Sequence, residues 1–222
     1  GALDATNSTD ALGSIGIGHA ALGGMNSGIG NVAIGYAALG TEDSGDYNTA
    51  IGHQALATQD RDGTVSNTAV GYKAGYAVTT GYEATLVGAN AGVALTEGFN
   101  NTLIGANVAA SLTTGDYNTA IGTIALDACT TGSRNVAIGY GAAKSATTTI
   151  KNVAIGMDSL NSMVTGDGYN TVVGNAASYS NTTGSYNVSL GASAMYANTT
   201  GASNVAVGYW CVCSYRQHNR FK

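Results

Sequence analysis

A glycine that follows Ile, Val or Leu returns every 17 residues through almost the whole chain. The anchors are Gly18, Gly35, Gly52, Gly71, Gly88, Gly105, Gly122, Gly139, Gly156, Gly174, Gly191 and Gly208. Nine of the eleven steps are 17 residues; the others are 19 (Gly52 to Gly71) and 18 (Gly156 to Gly174). A unit this short cannot bury a core alone, so successive units must stack as coils of a solenoid. The extra residues fit in turn-like segments, 59–63 and 166–168, where insertions are tolerated.

The other columns keep the same register. Four residues before the anchor stands Asn, at Asn31, Asn48, Asn67, Asn101, Asn118, Asn135, Asn152, Asn170, Asn187 and Asn204; Ala84 breaks the column and Ser14 opens it. Thr or Val, mostly Ala, and then Ile, Val or Leu lead into the Gly, and Ala follows three residues after it in most coils. In Asn48-Thr49-Ala50-Ile51-Gly52, strand alternation puts Thr49 and Ile51 on one face and Ala50 on the other. The β-branched face is expected to line the core, and the Ala face to admit a close neighbouring backbone. Stacked Asn residues suit turns and amide ladders. An Ala-Leu segment is expected to begin a second short strand, and Thr-Thr-Gly to turn back to the next coil. The expected fold is all-β: a parallel β-solenoid with two short strands per coil and about twelve coils. At about 4.8 Å per coil this is a rod on the order of 55 Å long. Residues 1–11 and 210–222 are expected to be caps or junctions around a repeat domain at 12–209.

Composition agrees with an ordered, turn-rich chain: 222 residues with 44% hydrophobic, 9% charged, 33 Gly, 13 Tyr and no Pro. A net charge of −5 argues against a nucleic-acid partner, because phosphate binding needs clustered Lys and Arg. Only the last seven residues, with Arg216, Arg220 and Lys222, read as basic. No run approaches a membrane span and no secretory signal is visible. The chain begins with Gly rather than Met, as a processed form or a fragment would. Cys129, Cys211 and Cys213 form neither a disulfide framework nor a zinc pattern and read as small fillers, Cys211 in a column normally held by Ala.

Asn31-Val-Ala-Ile-Gly35, Asn135-Val-Ala-Ile-Gly139 and Asn152-Val-Ala-Ile-Gly156 resemble the head repeat of YadA-like trimeric autotransporter adhesins. Asn31 to Leu39 and Asn48 to Leu56 are similar to arrays found in phage fibre and tail proteins. The resemblance spans about residues 12–209 and implies a left-handed β-roll in a homotrimer, extracellular, on a virion or bacterial surface. The 17-residue coil is longer than an adhesin-head coil, which leans the reading toward a phage fibre. A two-strand roll with a thin core leads to the same homo-oligomer, since its small-residue face would otherwise be exposed.

The function expected is therefore a structural fibre or adhesin segment, not an enzyme, with no cofactor. The alternative is a glycan-binding module with a host glycan or receptor on exposed Tyr: Tyr36, Tyr72, Tyr140 and Tyr209 follow the Gly, and Tyr47, Tyr117, Tyr169 and Tyr186 precede the Asn. The bland reading is that Tyr covers strand ends. A hexapeptide-type acyltransferase would need three aliphatic hexads per coil, but positions 40 and 46 are Gly and Asp, and its base would have to be His53. An ice-binding solenoid needs paired, exposed Thr columns; the column at Thr49, Thr68, Thr85, Thr102, Thr119 and Thr171 shares its face with Ile and Val and reads as core edge. The acidic turns at 42–46 and 60–63 lack the spacing of a calcium repeat and read as solvated.

Overall fold

The computed structural model describes residues 13–211. Twelve three-residue strands form one parallel sheet: β1 (Ile15–Ile17), β2 (Val32–Ile34), β4 (Thr49–Ile51), β6 (Thr68–Val70), β7 (Thr85–Val87), β8 (Thr102–Ile104), β9 (Thr119–Ile121), β10 (Val136–Ile138), β11 (Val153–Ile155), β12 (Thr171–Val173), β13 (Val188–Leu190) and β14 (Val205–Val207). Each strand pairs with the next coil's at the same column, as in Val136↔Val153 and Ile138↔Ile155. The chain is thus a parallel β-solenoid of eleven full turns. The 19-residue step is absorbed in a side ladder, β3 (Gly45–Asp46) on β5 (Gly63–Thr64). Asp4 to Asp10, Cys213 and the basic end lie outside the described residues, whereas Trp210 stacks on Tyr196 at 5.6 Å as part of the last described coil.

The two faces are the reverse of the sequence expectation. The central residue of every strand after β1 points inward and is buried: Ala33, Ala50, Ala69, Ala120, Ala137, Ala154 and Ala206, with Leu86, Leu103, Val172 and Ser189 in the other coils. The flanking Thr or Val and Ile or Val point outward and stay half-exposed. The cause is the opposite limb. Leu22, Leu39, Leu56, Leu126 and Leu160, four residues after the anchor, reach into the roll and leave only Ala-sized space beneath the strand. Where the strand centre is Leu, the column opposite loses its side chain: a Cβ on Gly75 would lie 2.5 Å from Leu86 Cδ1, and one on Gly92 2.9 Å from Leu103 Cδ1. Volume is conserved across the core, as dense packing requires.

The opposite limb also differs from the expected second strand. It is a repeated turn, because the residues two and four after each anchor are left-handed (φ 51° and 47° at Ala37 and Leu39), which extended backbone excludes. Its backbone is still satisfied coil to coil: the Leu22 N–H donates to Ala38 O (3.0 Å) and Leu39 to Ala55 O (3.0 Å).

Candidate functional site

Three surfaces and one interior ladder carry whatever this rod can do. The ladder comes from the Asn column, which is buried. The side-chain oxygen of Asn118 accepts the N–H of Asn135 (3.1 Å), and its amide donates to Gly132 O (2.9 Å) one coil on. The same pattern holds at Asn31, with Asn48 N–H (2.8 Å) and Gly45 O (2.7 Å). Asn31 and Asn118 thus each clamp two points of the next coil, whereas Asn48 and Asn152 hold it through the side-chain oxygen. The anchor glycines stand where backbones meet: a Cβ on Gly122 would sit 2.5 Å from Gly139 O at φ 130°, and the same close approach recurs at Gly35, Gly52, Gly71, Gly88, Gly105, Gly139, Gly156, Gly174 and Gly191.

A buried polar pocket interrupts the apolar column at Glu42 and Gln59, where other coils carry Met25, Leu95 and Leu112. Glu42 accepts the Gly45 N–H (2.7 Å) and Gln59 Nε2 (2.9 Å), and Gln59 accepts from Asn67 (2.9 Å). Burial raises the Glu42 carboxyl above its ordinary value of 4.5, against these hydrogen bonds. Asn48 Nδ2 is left without a partner beside the two-residue insertion. The acidic turns were read as solvated, but Glu42 points inward. The period alone could have shown this, since it shares the column of Met25 and Leu95. Burial also pushes the Cys129 thiol up to about 11, consistent with a filler in that column.

The first surface is the outward face of the sheet. Its two columns hold 18 aliphatic side chains and six Thr in twelve ranks, with no charge. Exposure is 36% at Ile121, 46% at Leu190 and 67% at Val205. At about 4.8 Å per rank, the face covers on the order of 600–800 Å². That exceeds the largest apolar patch of a typical monomer, about 300–600 Å². The Thr column therefore lies outside, contrary to the core-edge position expected from the sequence. The column beside it is aliphatic throughout and supplies no second row of hydroxyls.

The second surface is the column after the anchor glycines. Here His19, Tyr36, His53 and Tyr72 stack in sequence at 5.4, 5.0 and 5.5 Å. Tyr36 has a ring against each face, whereas Tyr72, which Ala89 follows in the column, has His53 on one face and Lys73 Nζ 5.5 Å from its centroid. His53, the acyltransferase candidate, lies between two Tyr rings. Tyr140 stands between Thr123 and Met157 in its column, and Tyr209 is 78% exposed in the last described coil.

The third surface is the column five residues before the anchors, on the other edge of the sheet. Tyr117, Arg134, Lys151, Tyr169 and Tyr186 follow one another there in consecutive coils. In the sequence only the Tyr residues mark this column by type, and Arg134 and Lys151 belong to it by position alone.

Among the described residues, no three His, Cys, Asp or Glu side chains converge as metal ligands, and no helix is long and apolar enough to cross a membrane. No family model, curated protein or solved structure matches this chain.

Proposed function

We propose that this chain is a segment of a surface fibre or adhesin: a stiff rod that assembles as a homotrimer outside the cell or on a virion and projects or performs attachment. The observation that carries this reading is the outward apolar face. It runs the length of the described rod in register, without charge, and its estimated area approaches the ~800 Å² per partner of a stable interface. Copies of the same chain fit it because rotation about an axis along the rod turns the same charge-free face of every copy toward that axis, in parallel. The resemblance of the Val-Ala-Ile-Gly coils to trimeric adhesin heads supports three copies. The recurring columns give the rod stiffness, since Asn side chains clamp coil to coil along most of its length.

A charge-introducing pair on the face, Ile104→Glu with Ile121→Glu, tests the reading. The expected outcome is a smaller species in sedimentation with the β-type circular dichroism retained. Glu97→Lys, on an exposed turn, should sediment as the parent does. Unchanged assembly of the Ile104/Ile121 variant would remove this face as the interface.

A further inference from the structure

The charge of this chain is segregated along its length. Residues 1–127 hold eleven of the 13 acidic side chains and two of the 8 Lys and Arg, whereas residues 128–222 hold two and six, giving net −9 and +4. Of those six cations Arg216, Arg220 and Lys222 lie in the last seven residues, which leaves Arg134, Lys144 and Lys151 against Asp158 and Asp167 in the described part of this half. Within it, Arg134 and Lys151 occupy neighbouring coils of one edge column, about 4.8 Å apart along the rod.

The backbone does not favour bulky residues in this column. Tyr117, Arg134, Lys151, Tyr169 and Tyr186 all adopt left-handed φ, between 56° and 60°, a conformation that Gly30 and Asn100 fill more easily in other coils. The repeat sets this φ, as it does at Ala37 and Leu39, and hydrogen bonds between coils fix the backbone there. The N–H groups of Tyr117, Arg134 and Lys151 donate to Phe99, Asp116 and Ser133 O in the preceding coil, at 3.1, 2.9 and 3.1 Å.

The cations sit among rings. The Arg134 guanidinium lies 5.6 Å from the Tyr117 centroid. Lys151 Nζ lies 4.6 Å from the Tyr169 ring and donates to the Tyr169 hydroxyl. Tyr169 stacks on Tyr186 at 5.0 Å, and the column continues with Ser203, so no ring from this column covers the far face of Tyr186. The nearby Asp116 carboxylate accepts the Phe99 N–H (3.0 Å). Two like charges one coil apart repel, and an anion between them relieves that repulsion.

We infer that the edge from Tyr117 to Tyr186 is a binding ridge for an acidic polysaccharide lying along the rod. Its carboxylate or sulfate groups meet Arg134 and Lys151, and a sugar ring lies against the far face of Tyr186. The inference goes beyond the fibre reading and supplies a recognition surface that does not depend on the number of copies.

Biolayer interferometry of the full chain against immobilised heparin, polygalacturonate, dextran and a single-stranded oligodeoxynucleotide tests it. Heparin (sulfated) or polygalacturonate (carboxylated) should bind, with affinity falling as NaCl rises, and which of them binds identifies the anionic group. Dextran should not bind, and DNA should bind more weakly. Arg134→Ala with Lys151→Ala should lower affinity by at least about tenfold, with sedimentation and circular dichroism unchanged. Arg134→Lys with Lys151→Arg should keep binding, and Lys144→Ala should leave it unaltered. Binding to neither acidic polymer, equal binding to dextran, tighter binding to DNA, or full affinity in the double Ala variant would each overturn the inference. Sedimentation of the same samples reports assembly separately, so failure of the ridge is distinguishable from failure of the rod.

Discussion

Removing one rung of the Asn ladder gives a cost that can be worked from the structure. Asn118→Ala deprives the buried Asn135 N–H of its acceptor at 3.1 Å and Gly132 O of its donor at 2.9 Å. Asn101 Oδ1 keeps the Asn118 N–H (2.9 Å), and Asn135 Nδ2 keeps Thr149 O (2.9 Å), so two groups rather than four are orphaned. Each buried, unsatisfied backbone group costs about 1–3 kcal/mol, so the expected loss is about 3 kcal/mol. Long repeat arrays depart from two-state unfolding, so the assay is local: hydrogen exchange by mass spectrometry over the peptide containing 135–139. A loss of about 3 kcal/mol corresponds to roughly 100-fold faster exchange where opening limits it. The control is Asn90→Ala, which removes the exposed contact from Asn90 Nδ2 to Asn107 Oδ1 (3.0 Å) and puts Ala at a left-handed φ, as Ala37 already stands in that column; it should cost less than about 1 kcal/mol. Equal protection in Asn118→Ala and Asn90→Ala would refute the ladder as a structural clamp.

Ala84→Asn should restore the missing rung and offer an acceptor to the Asn101 N–H; Val78 leaves room where Leu95 and Leu112 stand beside Asn101 and Asn118, and a gain of about 1 kcal/mol should appear as a higher melting temperature. Gly122→Val should lose more than about 3 kcal/mol, because the new Cβ would meet Gly139 O at 2.5 Å on a left-handed backbone; unaltered melting would show that the column is not sterically required. Glu42 has a raised carboxyl pKa, so the folded chain holds its proton to higher pH than the unfolded chain, and this group's contribution to stability falls as pH rises above 4.5. Glu42→Gln should therefore match or exceed the parent's stability at pH 7 and lose that advantage as pH falls below 4.5, measured by thermal melts across pH.

The coil period, the insertions and the Asn and Gly columns were legible because each rests on one residue type returning in register. The faces were not. Chemical character suggested that Val and Ile belong inside and Ala outside, but available volume decides, and that depends on Leu39 or Leu56 reaching over from the turn limb. A trace of this was present in the sequence: Gly75 and Gly92 replace the usual residue in the coils around Leu86 and Leu103, a swap that makes sense only if those columns oppose each other. The turn limb was misjudged for a related reason. Ala37 and Leu39 carry no sequence mark of positive φ, and the hydrogen bonds between coils impose it. At the candidate ridge, Tyr117, Tyr169 and Tyr186 were visible as a partial column, whereas Arg134 and Lys151 became its members only once position, rather than residue type, defined the column.

The outward face, with an unbroken aliphatic column from Ile17 to Val207, is the feature on which the fibre reading rests. Sedimentation equilibrium of the whole chain at micromolar concentration tests it most directly. The account predicts one species with the mass of three 22.0 kDa chains, unchanged on moderate dilution. A folded, monodisperse species of 22.0 kDa would contradict it.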